Sequence, residues 1–313
     1  MPSSGELLER LKAIPAPIQG ALYMTAAAAC FSVMNVLVRL AAVELHPFEI
    51  AFFRNLFALA VMLPWLARTG MGALRTERLG MHVVRAVSGL IAMYAWFTAV
   101  TLLPMAEAVA LNFTVPLFAT VGAALVLGET VRARRWSATL IGFAGVMIIL
   151  RPGFAEITPI MGLPMLAAVF MAISVLMVKS LSGSEQPATI VLYMAIFMTP
   201  LSLIPALFVW TWPGWTTLGL LAALGCMATI AHLWLTRSYA LADASAVIPY
   251  DYARLPFVAV IAYFMFGEAP DLWTWVGAAV IAASAVYIAR REAQVARERA
   301  ASRAAGEAAR GQP

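Results

Sequence analysis

Apolar segments of roughly 20 residues follow one another along nearly the whole chain, separated by short polar connections. An α-helix rises about 1.5 Å per residue, so about 20 apolar residues cross a hydrocarbon core about 30 Å thick. Ten such segments occupy most of the 313 residues and leave no room for a soluble domain. The pattern predicts an all-α polytopic membrane protein with ten transmembrane helices. The predicted spans are 18–40, 47–67, 79–103, 105–127, 136–151, 160–180, 187–209, 216–240, 243–266 and 273–290.

The composition agrees with this class. Hydrophobic residues make up 63% of the chain and charged residues 12%, far from the usual balance of soluble domains. The net charge of +5 does not indicate a nucleic-acid partner, because the positive residues cluster beside the spans. Cys30 and Cys226 fall within spans and are expected to be packing residues rather than a disulfide or a metal pair.

The positively charged residues are unevenly divided between the two sides of the predicted membrane. Of the 21 Lys and Arg residues, sixteen lie on alternate connections and in the two ends of the chain. Only Arg39 and Arg151 lie on the opposite connections, and three more fall within spans. Cytoplasmic loops carry the excess of Lys and Arg. We therefore expect both termini in the cytoplasm, as an N-terminal segment over residues 1–17 and a basic tail over residues 291–313.

The second half of the chain resembles the first. The stretch PMAEAVALNFTVPLF, followed by LGET, is similar to LADASAVIPYDYARLPF, followed by FGEAPDLWTW. Each predicted repeat, 18–151 and 160–290, holds five spans, and the odd number places the second copy upside down in the membrane. Inverted repeats are typical of transporters that alternate between inward-open and outward-open states.

These features resemble the drug/metabolite transporter superfamily, in its ten-helix EamA-type branch. The resemblance rests on FEIAFFRNLFA in the second span, on the two repeated stretches, and on IGFAGVMIILRP in the fifth span. Within the superfamily the chain is similar to bacterial metabolite and amino-acid exporters, particularly aromatic amino-acid exporters of the YddG type. The resemblance implies a multi-pass protein of the bacterial inner membrane. It also implies two inverted five-helix repeats around a central cavity lined by spans 1, 3, 4, 6, 8 and 9.

Arg254 is the clearest candidate for a functional side chain. It lies eleven residues after Asp243 in the ninth span, about 16 Å along a helix and near the middle of the bilayer. An Arg at that depth costs about 2.5–3.5 kcal/mol on insertion scales, so it must face a wet cavity or a partner. Asp251 is three residues earlier, at the spacing of a helical ion pair. The pair is either structural or part of a cavity wall.

Prolines predict kinks in the fourth and ninth spans. Pro249 and Pro256 each remove a backbone donor in the ninth span, and Pro116 frees the carbonyl of Asn112 in the fourth. Kinks at corresponding places in the two repeats are the best sequence indication of a transporter site. The alternative is the ordinary tolerance of proline in membrane helices.

Other polar and aromatic residues at mid-depth complete the candidate site. Each of them could instead form hydrogen bonds between helices. His82 and Arg85 are expected to anchor the third span near the inner surface, and Arg54 with Asn55 is expected to be structural. The candidate substrate-binding residues are Asn35, Ser88, Tyr94, Trp96, Asn112, Ser174, His232, Trp234, Tyr250, Asp251 and Arg254.

The predicted function is secondary transport, exporting small amphipathic metabolites by alternating access. Asp251 and Arg254 offer both charges and the neighbouring rings offer apolar surface, which suits amino acids with aromatic or other apolar side chains. The alternative is uptake or exchange of a vitamin or nucleotide-derived compound in the same fold. The chain has no Walker loop, dinucleotide motif or metal-ligand spacing, and a membrane-embedded enzyme is the rival class.

The expected partners are a small-molecule substrate and the lipid bilayer, without nucleic acid, cofactor or metal. The oligomeric state stays open between monomer and homodimer.

Overall fold

The computed structural model describes residues 16–112, 114, 115, 118, 133–150, 158–242, 247–280, 282–284, 286, 287, 290 and 294. This part of the chain is built of helices and turns and contains no β-strand, so the all-α prediction is confirmed. The helices are α1 Ala16–Ala41, α2 Pro47–Thr69, α3 Leu79–Leu102, α4 Met105–Asn112, α5 Ala133–Leu150, α6 Gly162–Ser182, α7 Pro187–Ala206, α8 Trp215–Leu241, α9 Arg254–Phe266 and α10 Leu272–Ser284.

Six of the helices in the described part are long and apolar enough to cross a membrane: α1, α2, α3, α6 with its preceding 3₁₀ turn, α7 and α8. Apolar helices of 10 to 17 residues follow at Pro256–Phe266 and Leu272–Ser284. Residues 119–132, which hold the rest of the predicted fourth span, lie outside the described residues. The count of ten spans therefore stays a prediction.

The outer surface of the helices suits a lipid environment. Large apolar side chains such as Leu63, Val84, Leu166 and Phe264 are exposed, the last with 79% of its surface accessible. Such exposure is unfavourable in water and ordinary against lipid, where helices satisfy their own backbone groups.

Local signals set the ends of several helices. At the start of α2, the His46 backbone N–H donates to Glu49 Oε2 (3.1 Å), and the Phe48 N–H donates to His46 Nδ1 (3.3 Å). This reciprocal cap, with Pro47 in the first turn, satisfies donors that a helix start leaves free. Gly267 ends α9 with a φ of +67°, in the left-handed region that favours glycine.

The predicted ninth span is not one continuous α-helix. Its described part begins with a 3₁₀ helix, Ile248–Ala253, and α9 starts only at Arg254. Pro256 therefore lies in the first turn of α9, where its missing N–H costs nothing. The irregular backbone thus lies where the prolines predicted kinks, and the single continuous helix is wrong. The depth of Arg254 in the bilayer stays a prediction. Asp243 and Pro116 lie outside the described residues.

Helix contacts follow the predicted repeat. In the predicted repeat, each of helices α1 to α5 corresponds to the helix five places later, so α1 corresponds to α6 and α3 to α8. The contact between α1 and α8 therefore corresponds to the contact between α6 and α3, and both contacts are extensive. The α2–α8 contact likewise becomes α7–α3, and α1–α9 becomes α6–α4, while α2–α7 and α4–α9 map onto themselves. All of these pairs are in contact. The two halves therefore pack against each other in an equivalent way.

Two loop carboxylates repeat this symmetry in detail. Glu44, three residues after α1, accepts hydrogen bonds from the Gly214 N–H (2.6 Å) and the Thr217 hydroxyl at the start of α8. Glu185, three residues after α6, accepts the Thr76 hydroxyl and lies 2.7 Å from His82 Nε2 at the start of α3. Each carboxylate joins the first loop of one half to the third helix of the other.

Candidate substrate-binding site

A cavity of about 180 Å³ lies among the helices of both halves. Its wall includes residues from α1, α3, α4, α6, α8 and the start of α9, as the family resemblance implied. The two second helices of the repeats also reach it, through Arg54 on α2 and through Met194 and Met198 on α7. The cavity is therefore enclosed by both halves, which is where a transporter's substrate site is expected.

Seven of the eleven predicted residues line this cavity. The Trp96 Nε1–H donates to Asn35 Oδ1 (3.0 Å), which holds the indole ring in the wall, while Asn35 Nδ2 has no hydrogen-bond partner among the described residues. Asn112 Nδ2 donates to the Pro164 carbonyl (3.2 Å) and so also ties α4 to α6. The seven are Asn35, Trp96, Asn112, Ser174, His232, Asp251 and Arg254.

The other four predicted residues lie outside the cavity wall. Ser88 is buried and donates to the Val84 carbonyl within its own helix (2.7 Å). Tyr94 packs edge-on against Phe48 with ring centroids 4.7 Å apart. Trp234 packs against the hydrophobic core, and Tyr250 is 47% exposed. None of these four residues lines the cavity.

Asp251 and Arg254 form the predicted ion pair, with Arg254 Nη2 2.6 Å from Asp251 Oδ1. The Arg254 guanidinium also lies 4.8 Å from the centroid of the Phe31 ring, as a cation–π contact. Both charged residues line the cavity, so the pair is at once a link within the chain and part of the wall. Each of the two charges is therefore compensated within the chain.

Arg54 and Arg85 are wall residues that the sequence assigned to other roles. Both line the cavity, and only 1% and 2% of their respective surfaces are accessible. The expectation that Arg85 extends to the inner surface is therefore wrong, because its Nη1 donates to the buried Ile190 carbonyl on α7 (3.1 Å). Arg54, which was expected to be structural together with Asn55, donates from Nη1 to Asn55 Oδ1 (2.7 Å) and also lines the cavity.

His232 lies in the same wall with few polar contacts. Its ring packs edge-on against Phe31, with centroids 5.3 Å apart, and its Nδ1 has no hydrogen-bond partner. In the described part of the chain no three His, Cys, Asp or Glu residues come together as metal ligands. The chemistry available in the cavity is thus hydrogen bonding, positive charge and ring stacking.

A second polar cluster joins α1, α4 and the loop after α9. Arg39 forms an ion pair with Glu268, and its guanidinium lies 4.8 Å from the centroid of the Phe266 ring. The other Glu268 oxygen accepts the Met105 N–H at the start of α4 (2.9 Å). This cluster ties together helices of both halves away from the cavity.

The sequence matches the EamA-like transporter family over residues 18–151 and 158–290, close to the two predicted repeats. A crystal structure that is 22% identical covers 87% of this chain and 98% of its own, with a TM-score of 0.64, which shows a shared fold.

Three curated relatives are similar over most of their length. A riboflavin transporter of Vibrio cholerae is 38% identical and is covered over 96% of its length and 90% of this chain. An S-adenosylmethionine uptake transporter of Rickettsia prowazekii is 32% identical, covered over 87% of its length and 82% of this chain. The pseudopaline exporter CntI of Pseudomonas aeruginosa is 29% identical, covered over 96% of its length and 87% of this chain.

Proposed function

This chain belongs to the EamA-like transporter family of the drug/metabolite transporter superfamily and is a membrane transporter of small metabolites rather than an enzyme; from that premise we propose that it takes up a flat heteroaromatic vitamin of the riboflavin class. The observation that carries the proposal is the full-length similarity, at 38% identity, to a riboflavin transporter. The alternative stated from the sequence, uptake of a vitamin or nucleotide-derived compound, is thereby favoured over amino-acid export.

The cavity wall supplies what a flavin-like ring system needs. Trp96, Phe97 and Phe31 offer ring faces and edges for stacking. Asn35 Nδ2 and the two buried arginines offer hydrogen-bond donors to the carbonyl oxygens of such a ring. Sites for small molecules commonly combine apolar walls with a few fixed polar groups.

The charge of the wall argues against two other substrate classes. S-adenosylmethionine carries a sulfonium cation, and a wall with three arginines and one aspartate repels a cation. An amino acid needs partners for both of its charged ends, and Asp251 is already bonded to Arg254. Both classes therefore rank behind a neutral or anionic heteroaromatic compound.

Uptake into cells tests the proposal directly. A bacterial riboflavin auxotroph without its own importer should grow on low riboflavin when it expresses this protein, and purified protein in liposomes should move labelled riboflavin. Trp96→Ala should lower the affinity about ten-fold because it removes a stacking surface, whereas Trp96→Phe keeps a ring and should lower it less. Movement of a labelled amino acid without any movement of riboflavin would reject the vitamin proposal and leave the transporter assignment intact.

A further inference from the structure

We propose that Arg54 and Arg85 form an anion-binding subsite in the cavity, so that the transported molecule carries a phosphate or carboxylate group beside its ring system. The inference rests on the proposed function only in taking the cavity as the substrate site. It adds an anionic group to the substrate, which riboflavin itself, a neutral molecule, does not carry.

The first support is that both guanidinium groups are buried without an acidic partner. The ion pairs among the described residues join Arg39, His82 and Arg254 to carboxylates and include neither Arg54 nor Arg85. Their side-chain contacts, to Asn55 Oδ1 and the Ile190 carbonyl, are to neutral oxygens. Neither Nε atom has a hydrogen-bond partner in the described part of the chain. Two buried cations therefore lack the compensation that buried charges usually have.

The second support is the charge of the whole wall. Its described ionic residues are three arginines and Asp251, which gives a formal charge of +2 with His232 counted as neutral. Arg54 and Arg85 line the same cavity, so their like charges repel each other. An anion placed between them removes this repulsion, whereas a neutral substrate leaves it in place.

The third support is that the repeated fold does not require these cations. Pro47 begins α2 and Pro187 begins α7, so the position of Arg54 corresponds to Met194, which also lines the cavity. Helices α3 and α8 are matched at their last residues, Leu102 and Leu241, and the position of Arg85 then corresponds to Leu224. Equivalent positions in the second half are thus filled by apolar side chains, and a purely structural role for a charge there is not needed.

The chemistry of guanidinium groups decides the ligand class. Their planar N–H groups donate in parallel to two oxygens of one phosphate or carboxylate. Arg54 lies on α2 and Arg85 on α3, so an anion bound by both would also link these helices. The Trp96 ring and Asn35 Nδ2 in the same wall are available to the rest of the ligand.

Matched pairs of probes test the subsite by isothermal titration calorimetry of the purified full-length protein. Flavin mononucleotide and riboflavin differ by a phosphate, and indole-3-acetate and tryptophol differ by a carboxylate in place of an alcohol. We expect the anionic member of at least one pair to bind about ten-fold more tightly, as for other charge-assisted contacts. A larger preference in the flavin pair identifies phosphate as the natural group, and a larger one in the indole pair identifies carboxylate.

Variants locate the preference. Arg54→Gln and Arg85→Gln should each lower the affinity for the preferred anion about ten-fold and change that for its neutral partner about three-fold at most. Arg54→Lys keeps the charge and should retain part of the preference. Arg68→Gln, an exposed arginine of the same helix as Arg54, is the control and should change neither. If a Gln variant fails to fold, greater thermal stabilisation of the wild type by flavin mononucleotide than by riboflavin supplies the same comparison.

The outcomes separate the two proposals. Equal binding of both members in each pair, or an anion preference that survives both Gln variants, overturns the subsite. Equal binding of the two flavins, together with no preference in the indole pair, overturns the subsite and leaves the vitamin proposal standing. Preference for indole-3-acetate without any flavin binding supports the subsite and contradicts the vitamin proposal. Binding of none of the four probes contradicts the subsite and the vitamin proposal alike.

Discussion

Charged side chains in the cavity differ in how their charge is compensated. Asp251 and Arg254 neutralise each other at 2.6 Å, and the Phe31 ring covers the guanidinium. Among the residues that the structure describes, the hydrogen-bond acceptors of Arg54 and Arg85 are neutral oxygens. Removing a residue from the first pair creates an uncompensated charge, whereas removing one of the other two arginines takes an uncompensated charge away. Substitution within the Asp251–Arg254 pair should therefore lower the stability of the protein, whereas substitution of Arg54 or Arg85 should have the opposite effect.

Arg254→Ala should lower the thermal midpoint of the purified protein, because it leaves the Asp251 carboxylate without its partner. The loss should stay below the about 3–5 kcal/mol of fully buried pairs, since 31% of the Asp251 side chain is accessible. The double variant with Asp251→Ala should recover most of that stability, as measured by differential scanning fluorimetry. Recovery of stability without recovery of transport would be the mark of a wall residue. Full transport by Arg254→Ala would contradict its place in the wall.

At the scale of helices and loops, close packing and caps hold the two halves together. A Cβ atom at Gly225 of α8 would lie 2.4 Å from Phe57 Cβ and 2.9 Å from the Ala58 backbone nitrogen of α2. Small residues at such crossings let membrane helices approach closely. Glu44 adds a cap on the start of the same helix from the loop after α1. Helix α8 is therefore fixed at one end by hydrogen bonds and along its length by contact with α2.

Gly225→Ala should destabilise the protein by about 1–3 kcal/mol, because the neighbouring atoms include backbone that cannot move aside without separating α2 from α8. The matched control is Gly219→Ala in the same helix, where a Cβ would meet nothing within 4 Å. That change should be neutral or slightly stabilising, since alanine favours helix over glycine. Thermal midpoints in one detergent compare the two variants. Similar losses in both would show that the crossing is not the cause.

The Glu44 cap predicts a pH effect on stability. Hydrogen bonds from Thr217 and Gly214 hold the pKa of the Glu44 carboxyl below its usual range. A lowered pKa in the folded state stabilises the fold above the unfolded value of about 4.3, and this contribution is lost as the pH falls through the folded pKa. Glu44→Gln should therefore lower the thermal midpoint at pH 7 and flatten its decline in acid. The control is Glu77→Gln, at an exposed carboxylate; an equal flattening there would argue against the cap.

At the scale of the whole molecule, the symmetry of the helix contacts and the distribution of positive charge lead to one topology. Contacts such as α1–α8 and α6–α3 are related by exchange of the halves. Five spans in each half would place the second copy upside down and return the chain to the side where it began. The excess of Lys and Arg on alternate connections then predicts that both ends lie in the cytoplasm.

A C-terminal fusion to alkaline phosphatase should therefore be inactive, because that enzyme becomes active only after export. A fluorescent protein that requires the cytoplasm should be bright at the same position. Fusions after residue 43 supply the matched control, since that loop is expected outside and should give the opposite result. An active phosphatase at the C-terminus would mean an odd number of spans and would contradict inverted repeats.

The membrane class, most helix boundaries and the Asp251–Arg254 pair were predictable from the sequence. Each depends on neighbours along the chain: hydropathy over about 20 residues selects a span, and a spacing of three residues brings two side chains to one helix face. The ninth span shows the limit of this approach. The prolines indicated a break there, but the sequence did not indicate a 3₁₀ segment that moves the start of α9 to Arg254.

Which side chains reach the cavity was decided by the tertiary structure. In a soluble helix the apolar stripe marks the buried face, but lipid and protein interior are both apolar, so hydropathy does not set the rotation of a membrane helix. Packing between helices far apart in the sequence brings Arg54 and Arg85 into the cavity wall and leaves Tyr94 and Tyr250 outside it. The sequence by itself thus determined a transporter built of membrane helices, and only the packing of its two halves produced a positively charged cavity.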